Sequence, residues 1–415
     1  MTVCVHGLGY VGLPTAAILA NTGHKVYGFD TDPKRRQTLE HGAVNFDEPD
    51  LNRFVERALD DGLEVVEEPK PTDVHLICVP TPYDKEANRT DLSYVESASE
   101  KIAAVLRPDD VVVLESTVPP GTTEGLLREI VECSGLSTTD DVTLGYSPET
   151  VLPGNTLAEL RNNDRIVGTA SQREPDQVVE LYDSFVSGTI RTTDATTAEF
   201  VKLIQNAYRD VNIAFANEVA KLANEFGVGS RNAISLANNH PRVDILRPGP
   251  GVGGHCIPVD PLFLNHDNEV PNLIKAARDV NDGMVMFVEE LLTAALDDLQ
   301  GTVVTLFGVA YKGGVGDTRE SPALKLADRL EQRNVAEVRF TDPYVNADDV
   351  ERPLWSLEES LDGADAAVLV TDHPEYGALM PERFDNRMQG NVVVDTRAML
   401  DIERWEAAGF EIYQF

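Results

Sequence analysis

The first 195 residues alternate two hydrophobic rhythms. "TVCVHG" is a short apolar run of strand type, residues 10–23 follow with helical spacing, "KVYGFD" is a second strand and residues 33–41 a second helix. "VHLICVP", "DVVVLEST", "VTLGYSP" and "RIVGT" continue as β-rich runs, with helical stretches between several of them. Strands alternating with helices predict a mostly parallel sheet with helices on both faces. Residues 196–226, "TTAEFVKLIQNAYRDVNIAFANEVAKLANEF", hold neither Gly nor Pro, and apolar residues recur at 200, 203, 204, 207, 211, 214 and 215. That spacing predicts one helix, about 45 Å long at 1.5 Å per residue, a length that suits a bridge between domains or subunits. More helices follow, interrupted by a loop rich in Gly and Pro. Near residue 301 the first rhythm returns: "TVVTLFGVAYK" predicts a strand, residues about 321–333 a helix, and "AEVRFTD", "ADAAVLVTD" and "NVVVDTR" further strands. The expected fold is α/β: doubly wound domains at 1–195 and 299–415, joined by a long central helix and a small all-α dimerisation domain within 196–298.

Composition narrows the class. A length of 415 residues suits two or three domains, and 42% hydrophobic residues suffice for ordinary cores. No apolar run reaches 18 residues, so no membrane span is expected, and "MTVCVHGLGY" has no secretory pattern. Seventy acidic against 35 basic residues leave a net charge of −35, and the basic set is skewed to 25 Arg over 10 Lys. The acids are dispersed over a chain too apolar to be disordered. They read as an acidic surface on a folded core, as expected of a salt-loving cytoplasm, and salt should screen their self-repulsion. Nucleic acid is excluded as a partner because no basic face is available to meet phosphates. Cys4, Cys78, Cys133 and Cys256 show no pairing rhythm, so a reducing cytoplasm is expected. The first three read as small buried apolar residues, and no residue spacing suggests a metal site.

Two motifs carry chemistry. "GLGYVG" places Gly7, Gly9 and Gly12 between a predicted strand and a predicted helix, and Asp30 ends the next strand 18 residues later. This is the dinucleotide fingerprint of a Rossmann domain: glycines admit a pyrophosphate, the helix offers free N–H groups, and the acid accepts from a ribose hydroxyl. NAD is therefore the expected cofactor, with Tyr10, Val11 and Thr81 beside it. Arg35 nearby is a residue that can instead hold the 2′-phosphate of NADP. "PGPGVGGHCIPVDP" places Cys256 among Gly253, Gly254 and His255. Glycines let a ligand approach the backbone, so the thiol is expected to face a bound molecule and act as a thiolate nucleophile. Lys202 and Asn206, i and i+4 on the long helix, share a face that could offer a cation and an amide to a developing oxyanion. A thiol beside a nicotinamide suggests alcohol oxidation to an aldehyde, capture as a thiohemiacetal, a second hydride loss to a thioester, and hydrolysis to a carboxylate.

These residues resemble the nucleotide-sugar 6-dehydrogenase family. The resemblance covers essentially the whole chain and rests on "GLGYVGLP", "ESTVPPGTT", "SPETVLPG", "EFVKLIQNAYRDVNIAFANE", "GPGVGGHCIPVD" and "GVAYKGGVGDTRESP", in that order. It implies oxidation of C6 of a UDP- or GDP-sugar to a uronate with two NAD⁺ and one water. By position, Cys256 resembles the nucleophile, Lys202 and Asn206 the oxyanion-stabilising pair, and Asp260 the acid that orients or activates the hydrolytic water. Thr117 is similar to a threonine near that water and the nicotinamide, and Glu149 to a glutamate acting as base. Tyr311, Lys312, Arg397 and Arg209 fall at contacts to the UDP-sugar, as do Thr150, Val151 and Gly253, while Arg319 falls at a contact to NAD. His240 and Arg242 lie in a segment that in the family enters the partner subunit's site, which implies a homodimer or higher homo-oligomer. The run "HPRVDILRPGPGVGGHCIPVDP" looks like the branch acting on UDP-N-acetyl-D-mannosamine or related N-acetylhexosamines, which would supply surface glycans or protein glycosylation. Thr150, Leu262 and Pro153 depart from family patterns. UDP-glucose and UDP-N-acetylglucosamine are the rival substrates, and an NAD-binding sensor without turnover the rival of another class.

Overall fold

The computed structural model describes residues 1–44, 50–84, 86–151, 154–170, 175–264 and 271–415. The departure at Pro153 therefore lies outside the described residues. The chain forms two compact units, Met1–Gln205 with Leu262–Glu269, and Asn206–Pro261 with Val270–Phe415.

The first unit is built on eight strands: β1 (Thr2–His6), β2 (Lys25–Phe29), β3 (Leu63–Val66), β4 (Val74–Ile77), β5 (Val111–Leu114), β6 (Thr143–Tyr146), β7 (Arg165–Thr169) and β8 (Ile190–Asp194). Their spatial order is β8-β7-β6-β5-β4-β1-β2-β3, parallel throughout except between β6 and β7. β4, β5 and β6 are buried at every position, which explains their continuous apolar runs. Helix α1 (Gly12–Asn21) packs on this sheet with Gly12 to Ala20 all buried, so its sequence shows no polar face. The helical spacing of residues 10–23 overshoots because the dinucleotide loop occupies its first positions.

The long helix α2 runs Ala195–Phe226, and the division between the units falls within it. In the second unit α3 (Ser230–Ala237), α4 (Asn272–Asp282) and α5 (Met284–Leu296) follow. Then five parallel strands appear: β9 (Val303–Phe307), β10 (Glu337–Thr341), β11 (Ala366–Leu369), β12 (Val392–Asp395) and β13 (Glu411–Gln414), in the order β10-β9-β11-β12-β13. This is a doubly wound order whose chain reverses direction between β9 and β11, the place where such sheets bind ligands. Helix α6 (Pro322–Gln332) starts where Ser321 Oγ accepts from Ala323 N at 3.2 Å and proline fills the first turn.

Two expectations change. "TVVTLFGVAYK" is not one strand: β9 ends at Phe307, because Gly308 turns to φ 91° and a Cβ there would lie 2.2 Å from the Thr371 side chain. Tyr311 and Lys312 therefore stand on a loop at the carboxyl end of the strand. Cys133 is exposed rather than buried, since it follows the short helix Arg128–Glu132 at the surface. Among the described residues, no helix is long and apolar enough to cross a membrane.

Candidate active site

In the first unit, each glycine of the fingerprint answers a different steric demand. Gly7 sits at φ 94°, and a Cβ on it would lie 2.5 Å from the Cys78 carbonyl oxygen. At Gly12 a Cβ would fall 1.9 Å from the Gly7 oxygen, so the strand and α1 close only without a side chain. Among the described residues nothing lies within 4 Å of a Cβ built on Gly9. The glycine there leaves open space at the start of α1, a cradle that suits a dinucleotide pyrophosphate. Tyr10 beside it is 41% exposed, while Val11 leans on the core. Asp30, just past β2 and buried, accepts from Leu8 N at 2.8 Å and from Asp32 N at 2.9 Å. Arg35 Nη1 donates to the same carboxylate at 2.9 Å. The arginine that sequence left free for a 2′-phosphate is thus held by the acid that faces the ribose in such folds. Thr81 and Thr117, beyond the ends of β4 and β5, are joined by the Thr81 hydroxyl donating to the Thr117 carbonyl at 2.6 Å.

Glu149 lies beyond β6 in the same unit, buried, with Val151 N donating to its carboxylate at 2.8 Å. Burial pushes this carboxyl above the usual carboxylate range, while Lys202 and then Arg165 pull it back. The sequence-predicted residues Glu149 and Lys202 are therefore brought into electrostatic contact, and Lys202 is itself buried rather than on a solvated face. Thr150 is exposed.

Two residues that sequence reasoning passed over organise this region. Arg165 pairs with buried Glu115 at 3.2 Å, stacks over Tyr182 at 4.3 Å and also reaches Glu149 electrostatically. Glu199, on α2, accepts from Gly121 N at 2.5 Å, Thr123 N at 2.8 Å and the Thr123 hydroxyl at 2.6 Å, anchoring the loop that follows Thr117. An acid on a helix face otherwise read as amphipathic was the available signal.

In the second unit the cysteine loop folds into a tight helical turn. The Cys256 carbonyl accepts from Val259 N at 3.1 Å and from Asp260 N at 2.8 Å. Buried Asp260 accepts in turn from Asn206 Nδ2 at 2.6 Å. Cys256 is half-buried, and its sulfur lies 3.8 Å from His255 Nε2. The neighbouring glycines also answer a packing demand within the protein. A Cβ on Gly253 would lie 2.6 Å from the Tyr311 Cβ, and one on Gly254 would lie 3.0 Å from the Tyr311 ring. The missing side chains admit Tyr311 and pack the cysteine turn against the loop after β9.

Arg397 follows β12, where its Nε donates to the Val370 carbonyl at 2.7 Å. Burial lowers its guanidinium pKa, and Asp372 and Asp395 oppose that shift. Gly249 is required beside it, since a Cβ would lie 2.8 Å from Arg397 Nη1. Arg231, a residue the sequence did not single out, donates to the carbonyls of Pro248 at 3.1 Å and Phe415 at 3.3 Å. Burial, with Arg397 and Arg247 as like charges, lowers it to about 10. Arg319 forms a two-pronged pair with Asp317, with Nη2–Oδ2 at 2.5 Å. Arg209, His240 and Arg242 are exposed, and the Arg242 amide donates to His240 Nδ1 at 3.3 Å.

Family models of the UDP-glucose/GDP-mannose dehydrogenases match the chain three times: the NAD binding domain at residues 1–186, the central domain at 196–283 and the UDP binding domain at 305–402. The chain belongs to the UDP-glucose/GDP-mannose dehydrogenase family. It is an NAD-dependent oxidoreductase, and the glycine cradle and Asp30 fit that cofactor. A dehydrogenase of this family from Methanocaldococcus jannaschii, named UDP-N-acetyl-D-mannosamine dehydrogenase, is 43% identical over 99% of this chain and 95% of its own length. The NDP-N-acetyl-D-galactosaminuronic acid dehydrogenase of Ralstonia solanacearum is 41% identical, covering 98% of each chain. The solved UDP-D-ManNAc dehydrogenase of Pyrococcus horikoshii superposes with a TM-score of 0.93 at 40% identity, covering 100% of this chain and 99% of that one.

Proposed function

We propose that the protein oxidises C6 of UDP-N-acetyl-D-mannosamine to the uronate, through a thioester on Cys256. The sugar is supported by relatives of that name over nearly the full chain, and by an N-acetylhexosamine derivative in the name of the Ralstonia relative. The observation that carries the chemistry is the unit formed by Cys256, Asp260 and Asn206: one turn holds the thiol and a buried carboxylate, and the long helix clamps that carboxylate with an amide.

Cys256 Sγ attacks the C6 aldehyde, and the tetrahedral oxyanion is stabilised by Lys202 and Asn206, one turn apart on α2. Two molecules of NAD⁺, held in turn at the glycine loop, would each accept one hydride. Asp260, fixed by Asn206, orients the water that cleaves the thioester. Glu149, raised by burial, takes the proton of that water, and Thr117 has the place of a threonine near that water and the nicotinamide. Tyr311, Lys312 and Arg397, at the carboxyl ends of the second sheet's strands, hold the UDP with Arg209, and the two cations suit a diphosphate. Arg319 reaches NAD after giving up Asp317, and Thr150, Val151 and Gly253 line the sugar. The three-part division at 195 and 298 belongs to this reading.

The same reading makes the protein at least a dimer. Phe200, Ile204, Tyr208, Phe215, Leu222 and Phe226 are all exposed on α2 and fall on one stripe of the helix. A second copy covers that stripe and inserts His240 and Arg242. Phe215→Glu then yields a monomer in sedimentation; an unchanged mass removes this arrangement.

The deciding experiment supplies UDP-ManNAc, UDP-GlcNAc and UDP-glucose separately at high salt and follows NADH. Preference for UDP-ManNAc with about two NADH per sugar supports the proposal; preference for UDP-glucose overturns the substrate, and one NADH per sugar overturns the double oxidation. Thr150→Arg is expected to improve UDP-ManNAc use if that position reads the sugar.

A further inference from the structure

One face of the first sheet carries side chains that the dehydrogenase chemistry leaves unused. Cys4 and His6 are two apart on β1, so they point the same way. His75 on β4 stands opposite Cys4 in the parallel register. All three are buried, with 1% exposure for His6 and none for the others. Their potential ligand atoms lie within 4.8 Å of one another, and His6 Nε2 is 3.3 Å from His75 Nδ1. His75 Nε2 faces the Thr72 hydroxyl at 3.4 Å, and that hydroxyl donates to the Val74 carbonyl at 3.0 Å. A backing of this kind commonly orients a metal-binding imidazole. His6 Nδ1 has no hydrogen-bond partner among the described residues. The surroundings are Phe29, Val66 and Tyr27. Two imidazoles in an apolar layer cost desolvation that their mutual contact and one hydroxyl offset only in part, since His6 Nδ1 is left over.

We propose that Cys4, His6 and His75 form a binding site for one soft monovalent cation of the Cu(I) class. A thiolate is a soft donor, and imidazole suits copper as well as zinc. The 3.3 Å between the facing nitrogens is also the separation of two ligands each about 2.0 Å from a shared ion at a near-tetrahedral angle. Charge selects the ion. Binding replaces the Cys4 thiol proton, which leaves to solvent, with Cu⁺, so a neutral thiolate complex sits in the apolar layer and no electron moves. A divalent ion would leave a net positive charge in that apolar layer. The ion would tie β1 to β4 where the dinucleotide loop begins, since the residue after His6 is Gly7 and the His6 carbonyl accepts from Cys78 N at 2.8 Å.

The test uses the full chain with Cys133→Ser and Cys256→Ser, which removes the two thiols that are not buried. Cu(I) is offered anaerobically against bicinchoninate, and Zn(II) in a separate arm. One Cu(I) per chain is expected, with one sulfur and two nitrogens by X-ray absorption and a raised unfolding midpoint. His75→Gln and, separately, Cys4→Ser should each abolish retention. Should either fail to fold, the absorption spectrum of the parent decides by its ligand count. No retained Cu(I), retention indifferent to both substitutions, a spectrum without sulfur, or retention of Zn(II) alone overturns the proposal.

Discussion

Asn206 Nδ2 donates to Asp260 Oδ2 at 2.6 Å, joining the long helix to the turn that begins at Cys256. The two residues lie 54 positions apart. Removing this clamp should misplace the hydrolytic carboxylate without unfolding the protein. Asn206→Ala is expected to lower kcat on the order of 10²-fold with KM for NAD little changed. Steady-state kinetics with both substrates varied checks this, and a loss confined to NAD binding would refute it.

Cys256→Ser should stop turnover while NAD still binds, because a hydroxyl in place of the thiol forms no thioester. In the parent enzyme, quenching during turnover should reveal a sugar-nucleotide mass on the peptide containing Cys256. Near-normal uronate formation by the serine variant would contradict the covalent route.

Glu149 is held above the ordinary carboxylate range chiefly by burial. A base must be ionised, so kcat should fall as pH drops through that raised value, and Glu149→Gln should remove this acid limb while costing about 10²–10⁴-fold. Stability runs the other way. The folded state favours the neutral form, so the contribution is fully present below the unfolded pKa and is lost as pH rises through the folded one. The melting temperature of Glu149→Gln relative to the parent should therefore rise between pH 4 and pH 7, as read by calorimetry.

Asp30 and Arg35 share a 2.9 Å ion pair beside the dinucleotide loop. Asp30→Ser frees the guanidinium and removes the acceptor for the ribose hydroxyl. The ratio of kcat/KM for NADP to that for NAD is expected to rise at least about 10-fold, one well-placed charged contact being worth about 1.5–3 kcal/mol. An unchanged ratio would mean that Arg35 does not reach the 2′ position.

The fingerprint glycines should separate folding from binding. Gly9→Ala meets open space, so stability should hold while NAD affinity drops. Gly12→Ala drives a Cβ into the Gly7 carbonyl and should cost about 3 kcal/mol of stability. Denaturant unfolding and NAD titration of both variants distinguish the two roles.

What the sequence determined by itself was whatever repeats locally. Strand and helix periods, the glycine spacing of the dinucleotide loop and the ordered run of motifs are short-range patterns, and they led to the α/β class, the cofactor and the family. The strand ends were less legible: β9 stops at Phe307 because Gly308 must clear Thr371, a neighbour 63 residues away along the chain that no local window contains. Tertiary structure alone decided that Arg35 is occupied by Asp30, that Gly253 and Gly254 yield to Tyr311, and that Glu199 and Arg165 brace the loops around Thr117 and Glu149. It alone places His75 against Cys4 and His6, since only parallel pairing of β1 with β4 brings residues 69 positions apart within 3.3 Å. Propensity and periodicity act over a few residues, whereas hydrogen-bond partners, burial and ion pairs are set by whichever segments the sheet order makes neighbours.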